Sequence, residues 1–331
     1  MLLHPLRRLA LRPLTKPLSS TPLLSKLPHT PHTRYISTFR RPTKPAIFSF
    51  TSQPLKRHAH TPSTIAVDPS RPAQLKKLIY GLSIFGGGVA LTSLLLNNES
   101  REGGIPEYEH QYLNEVFTYT ALGVGIIGAS AKSLHNMGWS VRLMQMNPWV
   151  VMGLGLAGSV GTMLATMNTA PENTLQKNAC WTAFNVTQGL LLAPMFFYSP
   201  AILARAGLYT MGMMGSLSYV AATAKQDKYL YIGGPLLAGL GVVCLTGLAP
   251  MMLPVGSRVL MGTEAIWLYG GLAVFGGFTL YDIQKIQSHA RMAEAGLMKK
   301  DPVNEAIRLE LDFINIFIRM VTIMQNQRNK K

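Results

Sequence analysis

The stretch N-E-A-I-R-L-E-L-D-F-I-N-I-F-I-R-M-V-T-I-M-Q, residues 304–325, decides how the rest of the chain is read. It is apolar enough to enter a membrane, yet it carries Arg308, Asp312, Asn315, Arg319 and Thr322. Those five recur at steps of 4, 3, 4 and 3, so a helix places them on one polar stripe, with Leu, Ile, Phe, Met and Val on the other faces. Glu310 falls off the stripe and is expected toward an aqueous end. A charged side chain in hydrocarbon costs roughly 3 kcal/mol or more, so such groups face a bundle interior or a watery cavity and mark ion or proton paths. The same pattern also suits an amphipathic helix lying on the membrane surface.

Working outward, the 331 residues include 30 glycines and only 14% charged residues, with a mean hydropathy of +0.19. That composition excludes most soluble domains and fits an all-α polytopic membrane protein. Eight apolar segments follow one another, at approximately 78–96, 116–134, 148–167, 178–198, 203–224, 229–253, 262–282 and 306–325. Most have the length that a helix needs to cross about 30 Å of hydrocarbon. Pro148, Pro200 and Pro302 stand at segment starts, where a missing backbone donor does little harm, whereas Pro235 and Pro250 are expected to kink their span. Gly123, Gly125, Gly128, Gly153, Gly155, Gly158 and Gly161 predict close helix approach. Tyr229, Tyr231, Trp267, Tyr269 and Tyr281 read as interfacial anchors, and Cys180 and Cys244 as small buried apolar residues.

The net charge of +16 belongs mainly to the beginning of the chain. Before Asp68 there are 11 basic residues and no acid, leaving 20 basic and 15 acidic residues in 68–331. This argues against a nucleic-acid partner. Residues 1–67, rich in Arg, Ser, Thr, Pro and Leu, have the composition of a mitochondrial transit peptide, with a disordered basic arm as the alternative. Residues 68–112 read as an extra first helix followed by an acidic linker (Glu99, Glu102, Glu107, Glu109), and 113–331 as a seven-span membrane domain. The loop charges leave the membrane orientation undecided.

Asp282 closes the segment before the last one and is expected at or slightly inside the membrane edge, within reach of Asp312 across two antiparallel helices. Two carboxyls in a low-dielectric pocket cannot both ionise cheaply. Such a pair shares a proton at low pH and attracts a divalent cation through hard oxygen ligands at higher pH. That would couple calcium and proton occupancy without any resident cofactor. An enzyme is not expected. Gly215-Ser216 has no histidine in the later spans to serve as its base, since His135 falls at a helix end and His289 in a loop, both solvated.

L-Y-D-I-Q-K-I at 280–286, L-E-L-D-F-I-N-I-F at 309–317 and A-R-A-G-L-Y-T-M-G-M-M-G-S-L-S at 204–218 together resemble the transmembrane Bax inhibitor motif family over roughly residues 113–325. The leader and the extra helix make the chain most similar to its mitochondrial inner-membrane branch. The resemblance implies a seven-helix bundle around a central last helix, here with one additional N-terminal transmembrane helix. It also implies a pH-sensitive calcium leak or cation/proton exchange gated by a hydrogen-bonded dyad at Asp282 and Asp312. Two departures stand out. The family's latching arginine has no counterpart in the uncharged 148–167, so the latch is either absent or supplied by Arg205, Arg308 or Arg319, and Gln188 replaces a glutamate that precedes a glycine. Asn315 shares the stripe with these candidates. A reading of a different class is a scaffold that organises cristae and restrains apoptosis through inner-membrane protein partners.

Overall fold

The structure, a computed structural model, describes residues 101, 103–254 and 256–329. The leader and the extra helix expected at 78–96 lie outside the described residues. No β-strand occurs among those described. The helices are α1 (Glu107–Asn136), α2 (Trp139–Gln145), α3 (Pro148–Asn168), α4 (Thr174–Leu192), α5 (Pro200–Thr223), α6 (Gly233–Met252), α7 (Arg258–Ala265), α8 (Gly271–Glu294) and α9 (Pro302–Asn329). A π turn at Ile266–Gly270 joins α7 to α8 in one helical run. Among the described residues, three helical runs are both long and apolar enough to cross a membrane: Pro148–Asn168, Leu230–Met252 and Arg258–Glu294. Their outward faces carry Leu154, Leu156, Leu164, Leu237, Leu245 and Val259, all exposed. An apolar belt of that extent suits lipid rather than water.

Local chemistry sets the helix ends. Proline opens α3, α5 and α9, as expected. The Asn147 side chain accepts from Trp149 N at 2.9 Å to cap α3, and Asp301 Oδ1 accepts from Asn304 N at 3.2 Å to cap α9. Gly296, at φ +72°, stops α8 in a left-handed turn that few other residues tolerate. Pro235 lies in the first turn of α6, where it breaks no helical bond, so of the two Pro250 alone stands inside α6.

Helix α9 is the axis of the bundle. It packs against α1, α5 and α8, with α3 and α4 closing around it. Val303, Ala306, Ile307, Leu309, Ile316 and Val321 are buried on its several faces. This burial overturns the alternative of a helix lying on a membrane surface. Glycine serves close approach at fewer positions than its density suggests. A Cβ at Gly123 would collide with the Glu310 carboxyl, one at Gly155 would meet Leu191 Cδ2 at 2.7 Å, and one at Gly189 would collide with Ser130. Gly125, Gly128, Gly153 and Gly161 face open space.

One end of the bundle is strapped by charge. Lys177 Nζ pairs with Asp301 Oδ2 at 2.5 Å and also donates to Thr169 O at 3.0 Å, tying the start of α4 to the start of α9. Arg291 reaches Glu109 and Asp227, and Lys300 reaches Glu115. A hydrogen bond from Lys299 holds the exposed Glu172 carboxyl below its ordinary range. Lys177 is 3% exposed, so Lys177→Met leaves Asp301 uncompensated and is expected to cost about 3 kcal/mol. Thermal unfolding in detergent checks this, with Lys299→Met, on the exposed pair, expected to leave the midpoint unchanged. Farther along, Gln284 and Gln287 of α8 donate to Lys225 O at 2.9 Å and Ala222 O at 3.0 Å, satisfying carbonyls that the end of α5 leaves open.

Candidate functional site

The apolar run that ends near Asp282 does not end the helix. α8 continues to Glu294, about three turns beyond Asp282. At 1.5 Å per residue, Asp282 lies about 18 Å in from the end of α8, and Asp312 about 15 Å in from the start of α9. Both carboxyls therefore sit well inside their helices, several turns from the loop that joins α8 to α9. Asp282 is 7% and Asp312 4% exposed. Each lies within the other's electrostatic reach, but no hydrogen bond joins them, unlike the dyad that the family resemblance implies. Asp312 Oδ2 instead stands 3.5 Å from Thr279 Oγ1, whose hydroxyl also bonds Phe275 O at 3.0 Å. Asp282 Oδ1 stands 3.9 Å from Arg308 Nη1.

From that pair a line of charge runs to the strapped end. Arg308 Nε lies 3.5 Å from Glu305 Oε2, and Glu305 Oε1 meets His289 Nδ1 at 2.6 Å. Lys285, His289, Glu305 and Arg308 all act on Asp282 electrostatically. The sequence reading missed two members of this line. His289 was expected in a solvated loop, but the extended α8 carries it inward, and Glu305 is buried beside it. The signal was present: His289 follows Asp282 by seven residues, two turns along the same helix face, and Glu305 precedes Arg308 by three.

Of the candidate latches, Arg308 alone touches the pair. Arg205 is exposed on α5 and makes no ion pair among the described residues. Arg319 is 1% exposed and is held elsewhere. Its Nε donates to Trp267 O at 3.1 Å, its Nη1 donates to Asn315 O at 2.6 Å, and its guanidinium lies over the Trp267 and Phe275 rings at 4.9 and 4.6 Å. Trp267 is thus a buried support rather than an interfacial anchor. Asn315 belongs to this Arg319 cluster. Gln188 donates to Ser159 Oγ at 2.5 Å and is not part of the aspartate site.

Glu310 also departs from expectation. It is fully buried, accepts from Trp181 Nε1 at 3.0 Å and fits only because Gly123 opposite has no side chain. A donor on α4 and a gap on α1 thus overrode the expected pull toward water. Cys244 is exposed and Cys180 partly so, which corrects their reading as buried residues.

Among the described residues, no three His, Cys, Asp or Glu side chains converge as a metal cage. Asp282 and Asp312 can offer a cation two hard carboxylates and the Thr279 hydroxyl, a set suited to passing occupancy rather than permanent ligation. They can also hold a proton.

A helical bundle wrapped around a buried last helix, with several apolar runs and a buried carboxyl on each of its final two helices, defines a polytopic membrane protein. The chain belongs to the Bax inhibitor family: residues 109–329 match the family described as inhibitor of apoptosis-promoting Bax1. It is 32% identical to the growth hormone-inducible transmembrane protein of Rattus norvegicus over 228 residues, 68% of this chain and 66% of the rat protein. The chain thus spans just under two thirds of that relative's length. It is 28% identical to Bax inhibitor 1 of Arabidopsis thaliana, over 55% of this chain and 73% of the plant protein. With inner membrane protein YbhL of Escherichia coli strain K12 it shares 25% identity, over 66% of this chain and 92% of the bacterial protein.

Proposed function

We propose that this protein is a pH-sensitive calcium/proton transporter or cation channel of the mitochondrial inner membrane rather than an enzyme. In this reading α1, α3, α4, α5, α6, the α7–α8 run and α9 are its seven spans. The observation that carries the reading is the buried Asp282–Asp312 pair, connected through Arg308, Glu305 and His289 to the charged end of the bundle. Ionisable groups in such a place are costly and serve pathways.

The mechanism follows from charge. In the structure, Arg308 supplies the positive charge that one ionised aspartate requires. A calcium ion arriving at the pair competes with Arg308 for Asp282, and Arg308 can retreat toward Glu305, already 3.5 Å away. Occupancy by the cation needs both carboxylates ionised, so protons leave as calcium binds. Lower pH refills the pair with a proton and expels the cation. Flux is therefore expected to fall as pH falls. The inner-membrane location is supported by the acid-free basic leader.

Replacing Arg308 tests the latch. With Arg308→Gln the competitor is removed while a hydrogen-bonding side chain remains. Calcium leak from sealed liposomes is then expected to rise about tenfold at neutral pH, one decade in the occupancy of the pair. Leak at or below that of the unaltered protein, with the fold intact, would refute Arg308 as the gate.

A further inference from the structure

We infer that Arg319 forms the head of a binding site for the carboxylate of a long-chain fatty acid. This inference is independent of the transport reading. It begins with an imbalance of charge. Arg319 is 1% exposed, and every partner it has is neutral: two oxygens of Asn315, the Trp267 carbonyl and two aromatic rings. No carboxylate of the described residues lies within ion-pair distance. Its Nη2 has no acceptor at all. A buried guanidinium without a counter-charge is expensive, and this one is firmly seated. Gly271 leaves room for it, since a Cβ there would collide with Nε, and the π turn presents the Trp267 carbonyl to it. π turns recur at functional sites.

Beside Arg319 is a cavity of about 440 Å³ between α3, α4, α6 and α9, within the size range of small-molecule sites. Its walls are mainly apolar, with Leu191, Leu248 and Ile314 among them, and its polar lining includes Ser159, Gln188, Asn315 and Arg319 itself. Along α3 it extends from Val151 to Ser159, about 12 Å of helix. An apolar slot of this volume beside α3, with one cation at its side, is complementary to a single acyl chain ending in an anion. The free Nη2 provides one charge-assisted hydrogen bond to a carboxylate, and the two opposite charges cancel inside the membrane. Cys244, exposed on α6, also lines the cavity, so the slot has a route to the surrounding lipid.

Photo-crosslinking of the full chain in lipid nanodiscs tests this, using a diazirine-bearing palmitate with peptide mapping of the adducts. Adducts are expected on the α3, α6 and α9 residues that line the slot. Unlabelled palmitate should compete about tenfold better than the alcohol of equal chain length, one decade in affinity for the charge. Leu248→Trp, which fills the slot away from Arg319, should remove the adducts without lowering the thermal midpoint. Arg319→Gln, where it folds, should abolish the preference for acid over alcohol. Equal competition by the alcohol would overturn the inference. So would better competition by an anionic phospholipid, or adducts spread over the outer faces and indifferent to Leu248→Trp.

Discussion

Asp312→Asn is expected to lower pH-dependent calcium flux at least about tenfold, equivalent to ~1.4 kcal/mol of lost cation binding, while the protein remains folded. Asparagine keeps the size of the side chain and still offers Thr279 an oxygen at the position where Oδ2 now stands 3.5 Å away. What it removes is a hard anionic ligand at a site that has only two. The same substitution at Asp282 should also silence flux but should alter Arg308 as well. Having lost its partner at 3.9 Å, Arg308 is left to Glu305 at 3.5 Å. The Asp282→Asn variant is therefore expected to draw Arg308 toward Glu305, which also meets His289 at 2.6 Å, and so to alter the surroundings of His289, whereas Asp312→Asn should not. Flux from liposomes containing a calcium dye, together with the histidine resonances, distinguishes the two.

The second large effect concerns stability. Gly271→Ala places a methyl group where Arg319 Nε now lies. The guanidinium must leave its seat between Trp267 and Phe275 and give up its bonds to Trp267 O, Asn315 O and Asn315 Oδ1. The loss of a buried charged network belongs to the upper range of single-residue effects, so a destabilisation of about 3–5 kcal/mol is expected. Gly125→Ala and Gly128→Ala meet nothing within 4 Å. They should be neutral or slightly stabilising, because alanine favours a helix. Thermal unfolding of the three variants in one detergent compares them. An unchanged midpoint for Gly271→Ala would mean that Arg319 is not held as described.

These contrasts show which features the sequence carries openly. The apolar runs and the prolines at their starts gave the positions of α3, α5 and α9, because hydrophobic length and a missing backbone donor act locally. The 4-3-4-3 stripe correctly placed Arg308, Asp312, Asn315, Arg319 and Thr322 along one side of α9. Pairing across helices was less legible. The apolar run ends near Asp282 but the helix does not, because the polar turns of α8 continue to Glu294 and carry His289 with them. Polar residues that lie within a bundle and face one another do not need an apolar pattern. Glu310 shows the same limit. Its burial depends on Gly123 and Trp181, residues far away in sequence that no periodicity within α9 could reveal. The placement of Arg308 rather than Arg319 near Asp282 likewise depends on where α8 lies against α9.

The most direct test follows calcium and protons together in sealed liposomes containing the full chain, with a calcium dye and a pH dye inside. The expected result is calcium entry accompanied by acid leaving, faster at pH 8 than at pH 6, with both movements lost in the Asp282→Asn, Asp312→Asn double variant. Calcium entry in that double variant at the rate of the unaltered protein would contradict the account, as would entry that moves no protons and ignores pH.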